Sequence, residues 1–227
     1  MHVAMLLYPR LTQLDLTGPF EVFKRMPGVT VDLVWKSLDP VEDASGLRLL
    51  PSATFETCPK ADILFVPGGP GQIELMADVE TLAFLGRLAA EAEWVTSVCT
   101  GSLVLAAAGL ITGRRATCHW TSIDQLALFG VEPVAERVVF DGNVVTGAGV
   151  TSGIDFALAL SARLFSEAAA RRAELSMEYD PAPPFHGGSP ATADAATLQA
   201  VRSGIADFLA RRLKASEAAA LALVPHP

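Results

Sequence analysis

The chain has 227 residues, of which 51% are apolar and 19% are charged, so it can bury a large core and global disorder is excluded. Its formal net charge of −8 argues against a protein that grips a nucleic-acid backbone. The three cysteines, Cys58, Cys99 and Cys118, contain no C-x-x-C pair, which excludes a disulfide framework and a cysteine-based zinc ribbon. We therefore expect a reduced, cytoplasmic compartment with one thiol available as a reactive group.

The first half of the chain alternates short apolar runs with segments of helical period. Residues 2–8 predict a first strand, and residues 19–27 predict a helix whose first residue is a proline. Residues 30–36 and 62–66 predict two further strands, the second a continuous apolar run of the kind buried in parallel sheets. This run leads directly into the loop Pro67-Gly68-Gly69-Pro70-Gly71.

The second half continues the same alternation, which predicts a parallel sheet covered by helices on both faces. Residues 94–113 carry no charge, but their serines, threonines and glycines favour a buried strand and helix over a membrane span. We expect one domain over residues 1–180, with residues 181–227 forming a C-terminal loop and helix packed on it or extending it. The remaining predicted elements are helices at 79–92, 101–108, 153–165, 166–179 and 192–222, strands at 94–98 and 115–118, and a hairpin around Asp141-Gly142-Asn143.

Cys99 stands at the junction between the predicted strand 94–98 and the helix that begins near Gly101. Such a turn raises a nucleophile out of the sheet at its carboxyl edge, where open α/β sheets bind ligands. The start of the helix stabilises an anion there, so we expect it to lower the pKa of the thiol. Cys58, which precedes a proline, and Cys118, within a predicted strand, lack this setting. Cys99 is therefore the predicted reactive thiol.

The glycine-rich loop follows a buried strand and is expected to reach the same edge of the sheet as Cys99. Glycines allow backbone N–H groups to approach a ligand closely, so Gly68 and Gly69 are candidates for binding substrate, with the N–H of Gly69 as an oxyanion donor. The loop is neither G-x-G-x-x-G nor followed by G-K-[ST], so it does not support a nucleotide phosphate site. A plain turn remains the alternative.

Five motifs carry a resemblance to a known family. They are residues 15–23 (DLTGPFEVF), 66–69 (VPGG), 97–101 (SVCTG), 116–121 (ATCHWT) and 149–155 (GVTSGID). On these motifs the chain resembles the ThiJ/PfpI superfamily from residue 1 to about residue 179. The resemblance implies an α/β fold, a flavodoxin-like three-layer sandwich with a mostly parallel central sheet and helices on both faces. It is strongest to the isonitrile hydratases and to the sensor half of AraC-type regulators.

The resemblance to isonitrile hydratases implies catalytic roles for Asp15, Cys99 and Thr100. That branch hydrates an isonitrile to an N-substituted formamide and needs no cofactor or metal. Asp15 has a second interpretation as a helix-capping residue, and beside a thiolate its pKa would be raised. His119 either orients substrate or is a structural histidine, and the sequence leaves this open.

Departures from other branches of the superfamily narrow the interpretation. In the protease branch a histidine directly follows the nucleophile, and here that position is Thr100. In the glutaminase branch a glutamate stands two residues after a histidine, but no glutamate follows His119 at that spacing. Deglycases usually have a glutamate at the position of Asp15. A glyoxalase or deglycase and a non-enzymatic redox or ligand sensor remain alternatives. We expect an isonitrile as substrate, no nucleic-acid or membrane partner, no bound metal, and a homodimer.

Overall fold

A computed structural model describes residues 1–223 of the chain. The strands are β1 His2–Leu6, β2 Thr30–Trp35, β3 Val41–Glu42, β4 Arg48–Leu49, β5 Ala53–Thr54, β6 Ile63–Val66, β7 Trp94–Val98, β8 Arg115–Ala116, β9 Glu132–Pro133, β10 Val138–Asp141 and β11 Val144–Gly147. The helices are α1 Gln13–Phe23, α2 Gln72–Leu75, α3 Val79–Ala89, α4 Gly101–Ala107, α5 Ser152–Leu164, α6 Glu167–Ser176, α7 Ala195–Gly204 and α8 Ala206–Leu223, with a 3₁₀ helix at Ile123–Phe129.

Seven strands form the central sheet in the order β10-β11-β7-β6-β1-β2-β5, and only the β10–β11 pair is antiparallel. The chain runs outward from β1 to β2 and then returns to place β6 on the other side of β1, so the direction of winding switches between β1 and β6. Ligands of open α/β sheets bind at such a switch, beyond the carboxyl ends of the strands. The residues that follow β1, β6 and β7 are therefore the candidates for a site.

Helices cover both faces of the sheet, which confirms the predicted flavodoxin-like three-layer sandwich. One layer contains α1, α5 and α6, and α1 and α6 both pack against α5. The other contains α2, α3, α4 and α8 with the 3₁₀ helix. The central strands β6 and β7 are buried at every position, because a parallel strand with helices on both sides has no face in water.

Two predictions near the site are wrong. The helix α1 begins at Gln13 and contains Pro19 in its interior, so Asp15 lies in the first helical turn rather than in a loop. The predicted strand 115–118 ends at Ala116, and Cys118 lies in the loop beyond it. The N–H of Thr117 donates to the hydroxyl of Thr146 (2.9 Å) instead of continuing a strand ladder.

The predicted C-terminal helix 192–222 is broken near Gly204 into α7 and α8. The apolar residues that helical spacing places on one stripe of this segment, Val201 and Leu213 among them, do not form the buried face, since both are exposed. The α8 helix instead packs against α2, α4 and the 3₁₀ helix. The division of the chain at residues 180 and 181 stays a prediction, and residues 224–227 lie outside the described part. Within residues 1–223, no helix is both long and apolar enough to cross a membrane.

Candidate active site

Cys99 occupies the turn between β7 and α4 with a φ of 54°, a left-handed conformation that residues other than glycine rarely adopt. Its backbone N–H points toward the carbonyls of Gly147 (3.0 Å) and Ala148 (2.8 Å), which hold the turn in place. The Cβ is thereby turned away from the sheet ladder and toward the residues after β1 and β6. The predicted elbow is present at this position, and strain of this kind often marks a functional site.

Asp15 reaches Cys99 from the first turn of α1. Its side chain is fully buried, and neither carboxyl oxygen makes a hydrogen bond of good geometry within the described chain. Burial raises the pKa of Asp15 to about 7, and the nearby Cys99 thiol and Gly68 N–H only partly offset this effect. The expectation of a raised pKa is met, but desolvation and not repulsion from a thiolate is the main cause. The capping interpretation finds no support, because the carboxyl bonds no helical N–H.

Gly68 is the point at which the site residues converge. A Cβ added to it would lie 2.6 Å from the nitrogen of Thr100, 2.7 Å from the Cβ of Cys99 and 2.8 Å from Oδ2 of Asp15. Its carbonyl accepts the N–H of Thr12 (2.9 Å), which precedes α1. The backbone at Gly68 therefore joins the segments after β1, β6 and β7, and no other residue type fits without moving one of them.

The pKa of the Cys99 thiol is raised well above its ordinary value, opposite to the expected lowering. Burial is the largest cause, and the charge of Asp15 and of the Cys118 sulfur adds to it. The N–H of Thr100 acts in the expected direction, because it favours the thiolate, but it is outweighed. The thiol is therefore neutral in the closed site, and a base must take its proton as it reacts.

Thr100 and Gly69 bond to each other across the two loops. The N–H of Gly69 donates to Oγ1 of Thr100 (3.0 Å), so in this arrangement it is not free to hold an oxyanion. Gly69 itself has a φ of 139°, and a Cβ there would lie 2.3 Å from the nitrogen of Thr12. Its predicted role as a donor to substrate stays a prediction that requires the Thr100 hydroxyl to turn away.

His119 lies in the loop after β8 and bonds Oγ1 of Thr121 through Nδ1 (2.8 Å). Burial and the positive charge of Arg212 lower its pKa to about 4, so the imidazole is neutral near pH 7. A Cβ on Gly149 would lie 2.7 Å from its Cδ2, so the ring is held by close packing. No hydrogen bond joins it to Asp15 or Cys99 within the described chain, and its role stays open.

Two buried residues of the site were missed by sequence reasoning. The hydroxyl of Tyr8 donates to the carbonyl of Pro67 (3.0 Å), and burial, followed by the charges of Asp15 and Cys99, raises its pKa. The position of Tyr8 at the end of the predicted first strand could have signalled this. Arg212 of α8 lies 140 residues along the chain from its partner Gln72, and its sequence position gave no such signal.

The site is closed and contains no recognisable metal cluster. Cys99 is 4% exposed. Two surface cavities of about 240 and 370 Å³ occur elsewhere, and neither is lined by Asp15, Cys99 or Thr100. Among residues 1–223, no group of three His, Cys, Asp or Glu side chains is placed to hold a metal ion. The arrangement is that of a buried thiol beside one titratable carboxyl group.

Comparison with known proteins identifies the family. The sequence profile of the DJ-1/PfpI family matches residues 1–163. The chain is 50% identical to an isonitrile hydratase of Pseudomonas putida over 98% of both chains. It is 29% identical to a glutathione-independent glyoxalase of Caenorhabditis elegans over 58% of this chain and 71% of that protein. A ThiJ/PfpI family protein from Pseudomonas syringae has the same structure, with a TM-score of 0.92 and 47% identity over 96% of this chain and 90% of that one. The chain belongs to the DJ-1/PfpI family.

Proposed function

We propose that this protein hydrates an isonitrile to an N-substituted formamide, with Cys99 as nucleophile and Asp15 as the group that transfers protons. The observation that carries the proposal is the buried, unpartnered Asp15 carboxyl beside Cys99. The similarity to the Pseudomonas putida enzyme over nearly the whole chain supports the choice of substrate. No cofactor is invoked, because the steps below need only a nucleophile and a group that transfers protons, which Cys99 and Asp15 supply.

The first step is the addition of the thiol to the terminal carbon of R–N≡C. With a pKa of about 7, Asp15 is present in both protonation states near neutral pH, so it can accept the thiol proton and then deliver it to the carbon. The sulfur–carbon bond forms as the carbon gains this hydrogen, giving the thioimidate R–N=CH–S. The N–H of Thr100 favours the negative charge that develops on sulfur.

The second step is the hydrolysis of the thioimidate. Asp15, again ionised, removes a proton from a water molecule held near Thr100 and passes it to the nitrogen, while the remaining hydroxide adds to the carbon. The tetrahedral intermediate R–NH–CH(OH)–S then expels the Cys99 thiolate, which takes the hydroxyl proton by way of Asp15 as the formamide leaves. Overall, one isonitrile and one water molecule give one formamide.

A direct assay tests this proposal. Purified protein with cyclohexyl isocyanide should form N-cyclohexylformamide, followed by chromatography, without added metal. Cys99→Ala and Asp15→Val should each abolish turnover, whereas Cys58→Ser, which alters a half-buried thiol outside the site, should retain it. Full activity of folded Cys99→Ala would refute the proposed mechanism.

A glyoxalase is the second candidate, because a glyoxalase of Caenorhabditis elegans aligns with 58% of this chain at 29% identity. Methylglyoxal assayed beside the isocyanide at equal concentration decides between the two. We expect the isocyanide to give the larger kcat/KM. Oxidation of Cys99 seen by mass spectrometry, without turnover of either compound, would favour a redox sensor instead.

We also propose that the protein acts as a homodimer in the cytoplasm. The resemblance to the family supports the dimer, and the absence of a disulfide framework in the sequence supports a reduced compartment. Light scattering coupled to size-exclusion chromatography should give twice the mass of the 227-residue chain. A monomeric mass at micromolar concentration would contradict the proposed dimer.

A further inference from the structure

A buried arginine in the C-terminal helix has no acidic partner. Arg212 lies on α8 and is 5% exposed. Its Nε donates to Oε1 of Gln72 (2.8 Å) and its Nη1 donates to Oγ of Ser122 (2.8 Å). Both acceptors are neutral, and within residues 1–223 its guanidinium forms no ion pair. Burying a charge without a counter-charge is costly, so an anion near Arg212 would stabilise the fold.

The two acceptors of Arg212 are attached to the two loops of the site. The N–H of Gln72 donates to the carbonyl of Gly69 (3.2 Å), and the N–H of Ser122 donates to the carbonyl of His119 (2.9 Å). One guanidinium therefore connects the glycine-rich loop to the loop after β8. The helix that carries it also packs against α4, which begins directly after Cys99 and Thr100.

The charge of Arg212 acts on groups of the site itself. Three groups raise its pKa, in order of decreasing effect the thiols of Cys118 and Cys99 and the hydroxyl of Tyr8, and its own charge lowers the pKa of His119. Cys118 keeps a pKa of about 12 and lies in a loop rather than at an elbow. Of the three groups, Cys99 is therefore the one whose ionised form the chemistry requires.

We propose that Arg212 is a positioning residue of the active site, which fastens the Gly69 and His119 loops through Gln72 and Ser122 and places a fixed positive charge near the buried thiols of Cys118 and Cys99. On the Cys99 thiol this positive charge opposes burial and the charges of Asp15 and the Cys118 sulfur, each of which has a larger effect on the thiol pKa. Arginine suits both tasks, since its fork of donors reaches two acceptors while its charge stays fixed. The α8 helix lies beyond the family match at residues 1–163, so this contribution comes from outside the shared domain.

The test measures the reactivity of the Cys99 thiol. It rests on Cys99 being the reactive thiol, as proposed above, and it needs no isonitrile, so its failure is separate from failure of the proposed substrate. Iodoacetamide is added between pH 6 and 10, and the alkylated Cys99 peptide is quantified by mass spectrometry, which keeps Cys58 and Cys118 out of the measurement. Only thiolate reacts, so the profile reports the thiol pKa.

Three variants give distinct expected results. Arg212→Met keeps the packing against Phe208 but removes the charge, and we expect alkylation at pH 8 to slow about tenfold, with the profile displaced to higher pH. Arg212→Lys keeps the charge and should stay within about threefold of the wild-type rate. Arg211→Met removes an exposed charge from the same helix and serves as the matched control, with an unchanged profile.

A second readout isolates the positioning role. A lysine offers one flexible nitrogen in place of the two nitrogens with which Arg212 bonds Gln72 and Ser122, so Arg212→Lys should lower kcat for the isocyanide while the alkylation profile is retained. A wild-type alkylation profile in folded Arg212→Met overturns the proposal, as does a profile in Arg212→Lys displaced as far as that of Arg212→Met. If Arg212→Met does not fold, Arg212→Gln takes its place under the same expectation, since it also removes the charge.

Discussion

Replacing Asp15 with asparagine should change stability in a pH-dependent way, because the buried carboxyl is costly only when ionised. Its pKa is 3.8 in an exposed setting and about 7 in the fold. A raised pKa means that stability is complete below pH 4 and is lost as pH rises toward 7. At 1.36 kcal/mol per pKa unit, the total loss is about 4 kcal/mol, of which about 3 kcal/mol falls between pH 5 and pH 8.5.

Urea denaturation of wild type and Asp15→Asn at pH 5 and pH 8.5 measures this effect. The amide cannot ionise, so the variant should gain about 3 kcal/mol relative to wild type between the two pH values. Because only the change in the free energy of unfolding between the two pH values is compared, the pH-independent cost of burying the amide cancels. The matched control is Asp124→Asn, which removes a carboxyl charge at an exposed position.

If wild type and Asp15→Asn differ in free energy of unfolding by the same amount at pH 5 and at pH 8.5, the reasoning is refuted. Such a result would mean that Asp15 is ionised in the fold at little cost, so that it could not return a proton to the isonitrile carbon near neutral pH. The same variant should lose hydration activity at both pH values, which separates the role of the carboxyl in catalysis from its cost to stability.

Three further results are expected. Gly68→Ala should lower kcat/KM for the isocyanide about 100-fold or more, because its Cβ would lie 2.7 Å from the Cβ of Cys99, whereas Gly86→Ala, with nothing within 4 Å, should not. In urea denaturation, the free energy of unfolding of Cys99→Gly should exceed that of Cys99→Ala by about 1 kcal/mol, because glycine tolerates a φ of 54°. Tyr8→Phe should cost about 2 kcal/mol in the same assay, since it leaves the buried Pro67 carbonyl without its donor.

The elbow and the glycine-rich loop could be predicted because each depends on a short stretch of chain. A buried apolar strand followed by Cys-Thr-Gly places the thiol at the carboxyl edge of a parallel sheet, whatever the rest of the fold does. The ThiJ/PfpI resemblance, which comparison confirms, added Asp15 and Thr100 as candidates, whose catalytic roles stay predictions. The error at α1 arose because Pro19 was taken as the first residue of a helix, a position that proline often occupies.

The protonation of the site could not be predicted from local sequence. The expected lowering of the Cys99 pKa considered only the start of α4, and the structure shows that burial outweighs it. Burial is a property of packing between α1, the β6 loop and β7, and no single segment reports it. The occupation of the Gly69 N–H by the Thr100 hydroxyl is likewise a contact between two loops.

The sequence by itself determined the α/β sandwich, the position of Cys99 at a strand-to-helix elbow and the absence of a disulfide framework, since alternation of elements and residue spacing are local properties. Only the tertiary structure decided the environment of that thiol. The winding order brings Asp15, Gly68 and Cys99 to one point at the β1–β6 switch, and the packing of α8 brings Arg212 to Gln72 across 140 residues. These long-range contacts exclude solvent from the site and place charges in it. Solvent exclusion and charge in turn set the pKa values on which the proposed chemistry depends.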